Sequence, residues 1–334
     1  MKQCIIGYAM NPSLSTVTCE DTRKLTHLTL AFGLIQDGLP DLSILPDIGL
    51  IDTFRRWNPD LKIVLSIGGW GAGGFSTMAL TADGRKAFAD ACLAITEKYG
   101  LDGIDIDWEY PCSDLAGIDC DPRDRENFIL LLADLRAALG SSRILSIAVG
   151  GDESFIRNTK MDKVAGIVDY VQLMTYDLRS GFASSAGHHA ALGATRGDTS
   201  KANARSVVEL FHAAGVPYDK MVLGAAFYAR SFAVASAENN GLLQPSGIGE
   251  AGPTFGEITE SFLSENQYKE YWDEDAEASY LFNGKVFVSY ESERAIRLKC
   301  DYIREKGLYG IMYWEHGNDP TRTLLTAMRE SLAE

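Results

Sequence analysis

Short apolar runs rich in Val, Ile and Leu recur along this chain, separated by longer segments in which apolar residues return every three or four positions. Nearly continuous apolar runs fit strands covered on the outside, and the three-to-four spacing fits amphipathic helices. Eight runs read as strands, at residues 3–8, 27–33, 62–67, 103–108, 143–149, 170–175, 221–227 and 310–314. Helices are predicted over 82–99, 123–139, 200–214 and 291–306. In the second of these, Phe128, Leu131, Leu132, Leu135 and Leu139 form one apolar stripe. Eight strands with helical crossovers predict an α/β fold, a (β/α)8 TIM barrel.

The rhythm breaks once, over residues 231–290. This stretch holds Gly247-Ile248-Gly249, a helix-like piece at 257–265, and strand-like pieces at 278–282 and 285–288 joined by Asn283-Gly284. Asn-Gly between two such pieces signals a hairpin. A structureless loop of this length is rare inside a compact domain, so a small α+β insertion is predicted between strand 7 and helix 7. The predicted division is 1–230 with 291–334 as the barrel, and 231–290 as an insertion module.

One strand carries unusual chemistry. In Gly103-Ile104-Asp105-Ile106-Asp107-Trp108-Glu109 the acids alternate with apolar residues, the period of a strand. Asp105, Asp107 and Glu109 then share one face. Crowding like charges is costly, because each carboxylate disfavours ionisation of the next. A strand built only for stability would carry Val or Thr there. The alternation suits a site in which one carboxyl stays protonated near neutral pH while a neighbour holds the charge, as acid catalysis requires. A solvated edge strand is the plainer reading of this segment taken alone.

In a barrel, reacting groups gather at the carboxyl ends of the strands. Those ends here carry Tyr8, Phe32, Ser66-Ile67-Gly68-Gly69-Trp70, the acids with Tyr110, Met174-Thr175-Tyr176-Asp177, Tyr228 with Arg230, and Tyr313-Trp314. Aromatic rings suit the apolar faces of pyranose sugars, and carboxylates and hydroxyls suit their edges. One such aromatic alone would be read as core; their recurrence at successive strand ends points to a sugar site.

Composition acts mainly by exclusion. A net charge of −15 repels nucleic acid and anionic membranes, and no apolar run is long enough to span a bilayer. No leader pattern precedes the first strand, so the chain as it stands is expected to be cytoplasmic, or secreted if a leader has been removed. It is expected to act as a monomer. The six cysteines include no Cys-x-x-Cys pair, which disfavours a zinc cluster; Cys112 and Cys120 could bridge a loop, but free thiols are the expectation. The glycines of 68–74 lack the Gly-Lys-Ser/Thr of a phosphate loop. His188-His189 reads as two loop histidines rather than metal ligands, and Arg85-Lys86, Lys299, Arg304 and Lys306 read as solvated helix faces.

Asp102-Gly103-Ile104-Asp105-Ile106-Asp107-Trp108-Glu109 resembles the D-G-x-D-x-D-x-E motif of the glycoside hydrolase family eighteen chitinases. Ser66-Ile67-Gly68-Gly69 resembles the family's S-x-G-G, Met174-Thr175-Tyr176-Asp177 its M-x-Y-D, and Trp314 its eighth-strand tryptophan. The resemblance runs over roughly residues 3 to 320 and extends to the barrel-plus-insertion subgroup. Two departures stand out: Phe182 replaces a tryptophan that some chitinases place on the aglycone side, and no residue matches with assurance the sugar-contacting arginine of the insertion.

The resemblance implies retaining, substrate-assisted hydrolysis of β-1,4-linked N-acetylglucosamine polymers or oligomers, endo or exo, with no metal or organic cofactor. Asp107 and Glu109, two residues apart with Cα atoms about 6.5 Å apart along one strand, are poorly placed to flank an anomeric carbon from opposite faces. In the family reading Glu109 protonates the glycosidic oxygen and the substrate's 2-acetamido carbonyl attacks the anomeric carbon. Asp107 holds the acetamide N–H, Asp105 modulates Asp107, and Tyr176 holds the acetamide oxygen. Tyr8, Phe32, Ser66, Gly69, Trp70, Tyr110, Met174, Asp177, Phe182, Tyr228, Arg230 and Trp314 line the sugar site. Two alternatives remain: an endo-β-N-acetylglucosaminidase acting on N-glycan chitobiose cores, and a catalytically silent chitin-binding lectin. The insertion and Asp177 disfavour the first, and Glu109 disfavours the second.

Overall fold

The computed structural model describes residues 3–179, 183–200 and 202–332. In chain order its strands are β1 (Cys4–Met10), β2 (His27–Gln36), β3 (Leu39–Asp41), β4 (Lys62–Gly68), β5 (Gly103–Asp107), β6 (Ile144–Gly150), β7 (Tyr170–Met174), β8 (Met221–Ala226), β9 (Tyr228–Ala233), β10 (Glu250–Thr254), β11 (Lys269–Asp273), β12 (Ala278–Phe282), β13 (Val286–Tyr290) and β14 (Gly310–Trp314). Parallel pairing runs β1-β14-β8-β7-β6-β5-β4-β2, and β2 pairs back to β1, closing an eight-stranded barrel. The predicted (β/α)8 barrel is the observed one.

Strand alternation divides the barrel into two apolar layers. Ile104, Ile106 and Trp108 join the large core between strands and helices, with Trp108 stacked on Phe75 at 5.2 Å. Ile6, Tyr8, Tyr170, Met174, Val222 and Met312 fill the interior. The helices at Ala82–Tyr99 and Asp124–Leu139 pack outside β5 and β6 respectively, the latter burying the predicted Phe128–Leu131–Leu132–Leu135–Leu139 stripe. The helix at Ala204–Ala213 starts later than predicted because Asn203 caps it, its side chain accepting from the Ser206 N–H.

A second, antiparallel sheet has the order β10-β9-β13-β12-β11. It packs Phe232, Tyr280, Phe282 and Phe287 on one face and Ala229, Leu281, Val288 and Tyr290 on the other. The predicted hairpin at Asn283-Gly284 is present. This sheet begins at Tyr228, three residues before the predicted boundary of 231, so Tyr228 and Arg230 stand on its first strand and not at the end of a barrel strand.

Two expectations about charged side chains are corrected. Arg85 is buried because its guanidinium spans Asp134 and the Ala79 carbonyl. Lys299, on the helix at Glu293–Lys306, is 1% exposed and donates to Glu291 at 2.6 Å and to the Gly224 carbonyl at 3.3 Å. Glu291 in turn accepts from the Ala226 N–H, so this pair ties the end of β13 to β8. Removing the ammonium leaves a buried carboxylate without its counter-charge. Lys299→Met is therefore expected to cost about 3–5 kcal/mol in chemical denaturation, and adding Glu291→Gln should recover part of that loss.

Candidate active site

The site is built on the acidic strand, and strand register places its supports. Ser66 on β4, Asp105 on β5 and Ser146 on β6 are neighbours across three strands. Both hydroxyls donate to Asp105 at 2.7 Å, and Tyr8 donates from β1 at 2.9 Å. Gln172 of β7 donates at 3.0 Å. Asp105 is completely buried, and burial raises its pKa, against which all four hydrogen bonds act. Four neutral donors on one buried carboxyl make it the member of the row best provided to carry charge.

Asp107 is the opposite case. Its buried Oδ1 has no hydrogen-bond partner among the described residues, and burial, then Glu109 and Asp105, push its pKa well above the ordinary carboxyl range. Glu109, just past the end of β5, is 8% exposed, and its pKa is pushed up to about 7, by burial first and then by the charge of Asp177. The row thus runs from a clamped carboxyl deep in the barrel, through one without a partner among the described residues, to a carboxyl at its mouth that holds its proton up to about neutral pH. The plainer reading, a solvated edge strand, is overturned: β5 is flanked by β4 and β6 and all of its residues are buried.

Aromatic rings close over this row. Trp314 stacks on Phe32 at 5.2 Å and tilts against Tyr8 at 6.0 Å. Trp70 meets the edge of Tyr110 at 6.4 Å and is 63% exposed, a broad apolar face open to solvent. Gly69 (φ +94) lets the chain turn where a Cβ would stand 2.7 Å from the Phe32 ring. Gly68–Gly73, Phe32 and Trp70 line a cavity of about 330 Å³. Tyr176 packs edge-on against Tyr228, and burial, then Asp107 and Glu109, raise its phenol pKa well above the usual value, so it stays a donor. Met174 closes β7 in the interior layer. Phe182 lies outside the described residues.

The insertion sheet also reaches into the site. Arg230 on β9 grips Asp177 through Nε at 2.6 Å and Nη2 at 2.8 Å, and Tyr228 donates to the same carboxylate at 2.8 Å. Burial alone would raise the Asp177 pKa, but its bonds with Arg230 and His189 hold it well below the usual carboxylate range. Tyr228 and Arg230 were among the expected site residues; Ser146 and Gln172 were missed. Each is a lone polar residue inside an apolar strand, a signal that alternation would have pointed inward. His188 and His189 do lie in a loop, as read, yet both are buried: His188 against Asp273 and His189 against Asp177. Among the described residues no His, Cys, Asp and Glu group could hold a metal ion, and the described cysteines, Cys112 and Cys120 among them, are free.

The family model for glycosyl hydrolases family 18 matches residues 5–319. The chain belongs to this family. It is 33% identical to Chitinase A1 of Niallia circulans, over 96% of this chain and 51% of that protein. It is 32% identical to Chitotriosidase-1 of Mus musculus, over 79% and 60% respectively. The chain therefore spans between half and three fifths of the length of these curated relatives. Among solved structures, a family 18 N-acetylglucosaminidase from Paenibacillus barengoltzii superposes with a TM-score of 0.94 at 43% identity, covering 98% of this chain and 99% of its own. As in the sequence reading, the acidic row of this family 18 chain sits at the carboxyl end of the fourth barrel strand.

The electrostatics give a signed expectation. Glu109 can give up a proton only while it holds one, so any activity that depends on its acid form should decline on the alkaline side through about 7. Asp177→Asn removes a negative charge that opposes ionisation of Glu109. The alkaline limb of kcat/KM should then move to lower pH, by a few tenths of a unit to about one unit. A limb that stays in place would show that Asp177 does not act on Glu109.

Proposed function

We propose that this chain hydrolyses β-1,4-linked N-acetylglucosamine polymers or oligomers with retention, using the substrate's own acetamido group as nucleophile. The observation that carries the reading is the acid row: Glu109 at the mouth, its pKa raised to about 7 by burial, and two residues before it Asp107, whose buried Oδ1 has no hydrogen-bond partner among the described residues. Glu109 gives its proton to the glycosidic oxygen as that bond to the anomeric carbon breaks. The acetamido carbonyl oxygen bonds the anomeric carbon and forms an oxazolinium ion. Asp107 passes its proton to its neighbour Asp105, accepts from the acetamide N–H, and as a carboxylate offsets the positive charge of the oxazolinium ion. Tyr176 donates to the acetamide oxygen, Trp314 forms the floor, and water, deprotonated by Glu109, opens the ring from the face the leaving group vacated. Ser66, Tyr8, Gly69 and Phe32 hold the row and floor in place, while Trp70, Tyr110, Met174, Asp177, Tyr228 and Arg230 line the groove.

We assign residues 231–290, together with β9, to a module that forms one wall of that groove. The 43% identity to an N-acetylglucosaminidase over nearly both whole chains favours a second reading of the product: release of single N-acetylglucosamine units from oligomers rather than internal cuts in polymer. Product analysis on oligomers of defined length separates the two.

Glu109→Gln is expected to keep the fold and oligosaccharide binding while lowering kcat at least about a hundredfold, the usual contribution of a general acid. Near-normal turnover on a substrate with a poor leaving group would remove Glu109 from that role. If the acetamide is the nucleophile, glucose oligomers without it should resist cleavage and a thiazoline analogue should inhibit. A covalent glycosyl-enzyme trapped on Asp107 would show the two-carboxylate route instead.

A further inference from the structure

Trp70 is 63% exposed, yet it stands on a segment ill suited to hold a ring in place. Five of the seven residues from Gly68 to Gly74 are glycines, and glycine loses more conformational freedom on ordering than any other residue. A platform on such a loop must be fixed from outside. At one end the Gly69 N–H donates to the Asp107 carbonyl at 2.9 Å, which ties the loop to the acid strand itself. Ala72 then closes a turn onto the Gly69 carbonyl at 3.0 Å.

The other end is held by a carboxylate outside the acid row. Asp119 lies in the loop that follows Glu109, and its two oxygens reach the glycine loop and the short helix at Phe75–Ala79. Oδ1 accepts from the Gly74 N–H at 2.6 Å, and Oδ2 accepts from the Thr77 N–H at 2.8 Å and the Thr77 hydroxyl at 2.9 Å. The approach is close enough to require glycine at 73, where a Cβ would stand 3.1 Å from Asp119 Oδ1. Burial opposes ionisation of Asp119, but these bonds outweigh it and hold its pKa below the usual aspartate value, so all three are charge-assisted. The loop bearing Asp119 is itself closed by Asp124. Its Oδ2 accepts from the Cys112 and Asp121 N–H groups at 3.2 and 2.8 Å, and its Oδ1 accepts from the Ser76 hydroxyl of the same short helix at 2.7 Å. Two carboxylates thus join the loop after the acid to the loop that carries Trp70. Tyr110 and Trp70, one on each loop, meet across the join.

We infer that Asp119 is a positioning residue for the sugar platform: it pins the far end of the glycine loop, so that Trp70 presents its face at a set place beside Glu109. The inference rests on the hydrolytic reading above, and it gives Asp119 no contact with substrate. A platform that holds the sugar equally before and during the reaction contributes uniform binding. Its loss therefore acts on KM and spares the chemical step.

The test compares Asp119→Ala with the wild type, alone and in a Trp70→Ala background, on N-acetylglucosamine oligomers. Asp119→Ala should raise KM about tenfold, the scale of one lost charge-assisted bond. Its kcat should stay within about twofold of wild type, with the alkaline limb unmoved. Once Trp70 is gone there is no platform left to misplace, so Asp119→Ala should then add less than about twofold. An equal rise in KM in both backgrounds, a fall in kcat with KM unchanged, or a displaced alkaline limb would overturn the inference. A readout independent of turnover is the 19F spectrum of enzyme labelled with fluorotryptophan, in which Trp70→Phe identifies the Trp70 line. In Asp119→Ala that line should shift and change width while those of Trp57 and Trp272 stay in place. An unmoved Trp70 line overturns the positioning role even where hydrolysis is as proposed. Asp119→Asn, equal in size and with one accepting oxygen left, covers the case in which the alanine variant fails to fold. It should show the same selective change to a smaller degree, and a Trp70 line identical to wild type would overturn the inference there too. Absence of hydrolysis by the wild type would instead refute the function and leave the 19F result standing.

Discussion

Burying a row of carboxyl groups inside a barrel is the constraint around which this chain is organised. Desolvation disfavours each charge, and proximity makes each disfavour the next. The fold meets that demand at one end only, with two serines, a tyrosine and a glutamine donated to Asp105 by four other strands. Asp107 receives no comparable support, and Glu109 is left as the acid with a pKa near 7. Proton affinity along the row thus follows from where hydrogen-bond donors are placed and where they are withheld. Such coupled groups titrate as a set, and the proposed acid catalysis depends on strand β5 holding Asp105 and Asp107 in line below Glu109.

The surrounding structure reads as support for that row. Trp108, facing away from the acids, is locked between Phe75 and Phe128, which fixes the strand from outside. The insertion sheet reaches back through Tyr228 and Arg230 to hold Asp177, and is itself tied to the barrel by the buried Glu291–Lys299 pair. A membership in family 18 and a function proposed from the acid row are therefore consistent with the same set of contacts, from the core outward to the groove.

Much of this was legible in the sequence, and the exceptions have physical causes. The barrel strands announced themselves because strands covered by helices must be apolar along their length. The acids announced themselves because alternating charge serves no purpose in a strand built for stability. Ser146 and Gln172 escaped notice because a single polar residue in an apolar strand gains meaning only when closure brings it to Asp105. Strand β3 was also missed, although Asp37-Gly38 is a two-residue turn signal of the kind that marks Asn283-Gly284. Tyr228 and Arg230 were placed at a barrel-strand end, since nothing local separates the last residues of β8 from the first of β9. Lys299 and His189 look like ordinary surface residues until their buried partners, distant in sequence, come into place.

The most direct test of this account is a titration of the acid itself. Carboxyl 13C NMR of the labelled resting enzyme, with Glu109→Gln and Asp107→Asn used for assignment, reads the protonation of the row without substrate or turnover. The account predicts that Glu109 titrates with a midpoint near 7, and that Asp107 remains protonated where an ordinary aspartate is ionised. A Glu109 midpoint near the ordinary value for glutamate, about 4.3, would contradict it, because crowding and burial would then not be what tunes the site.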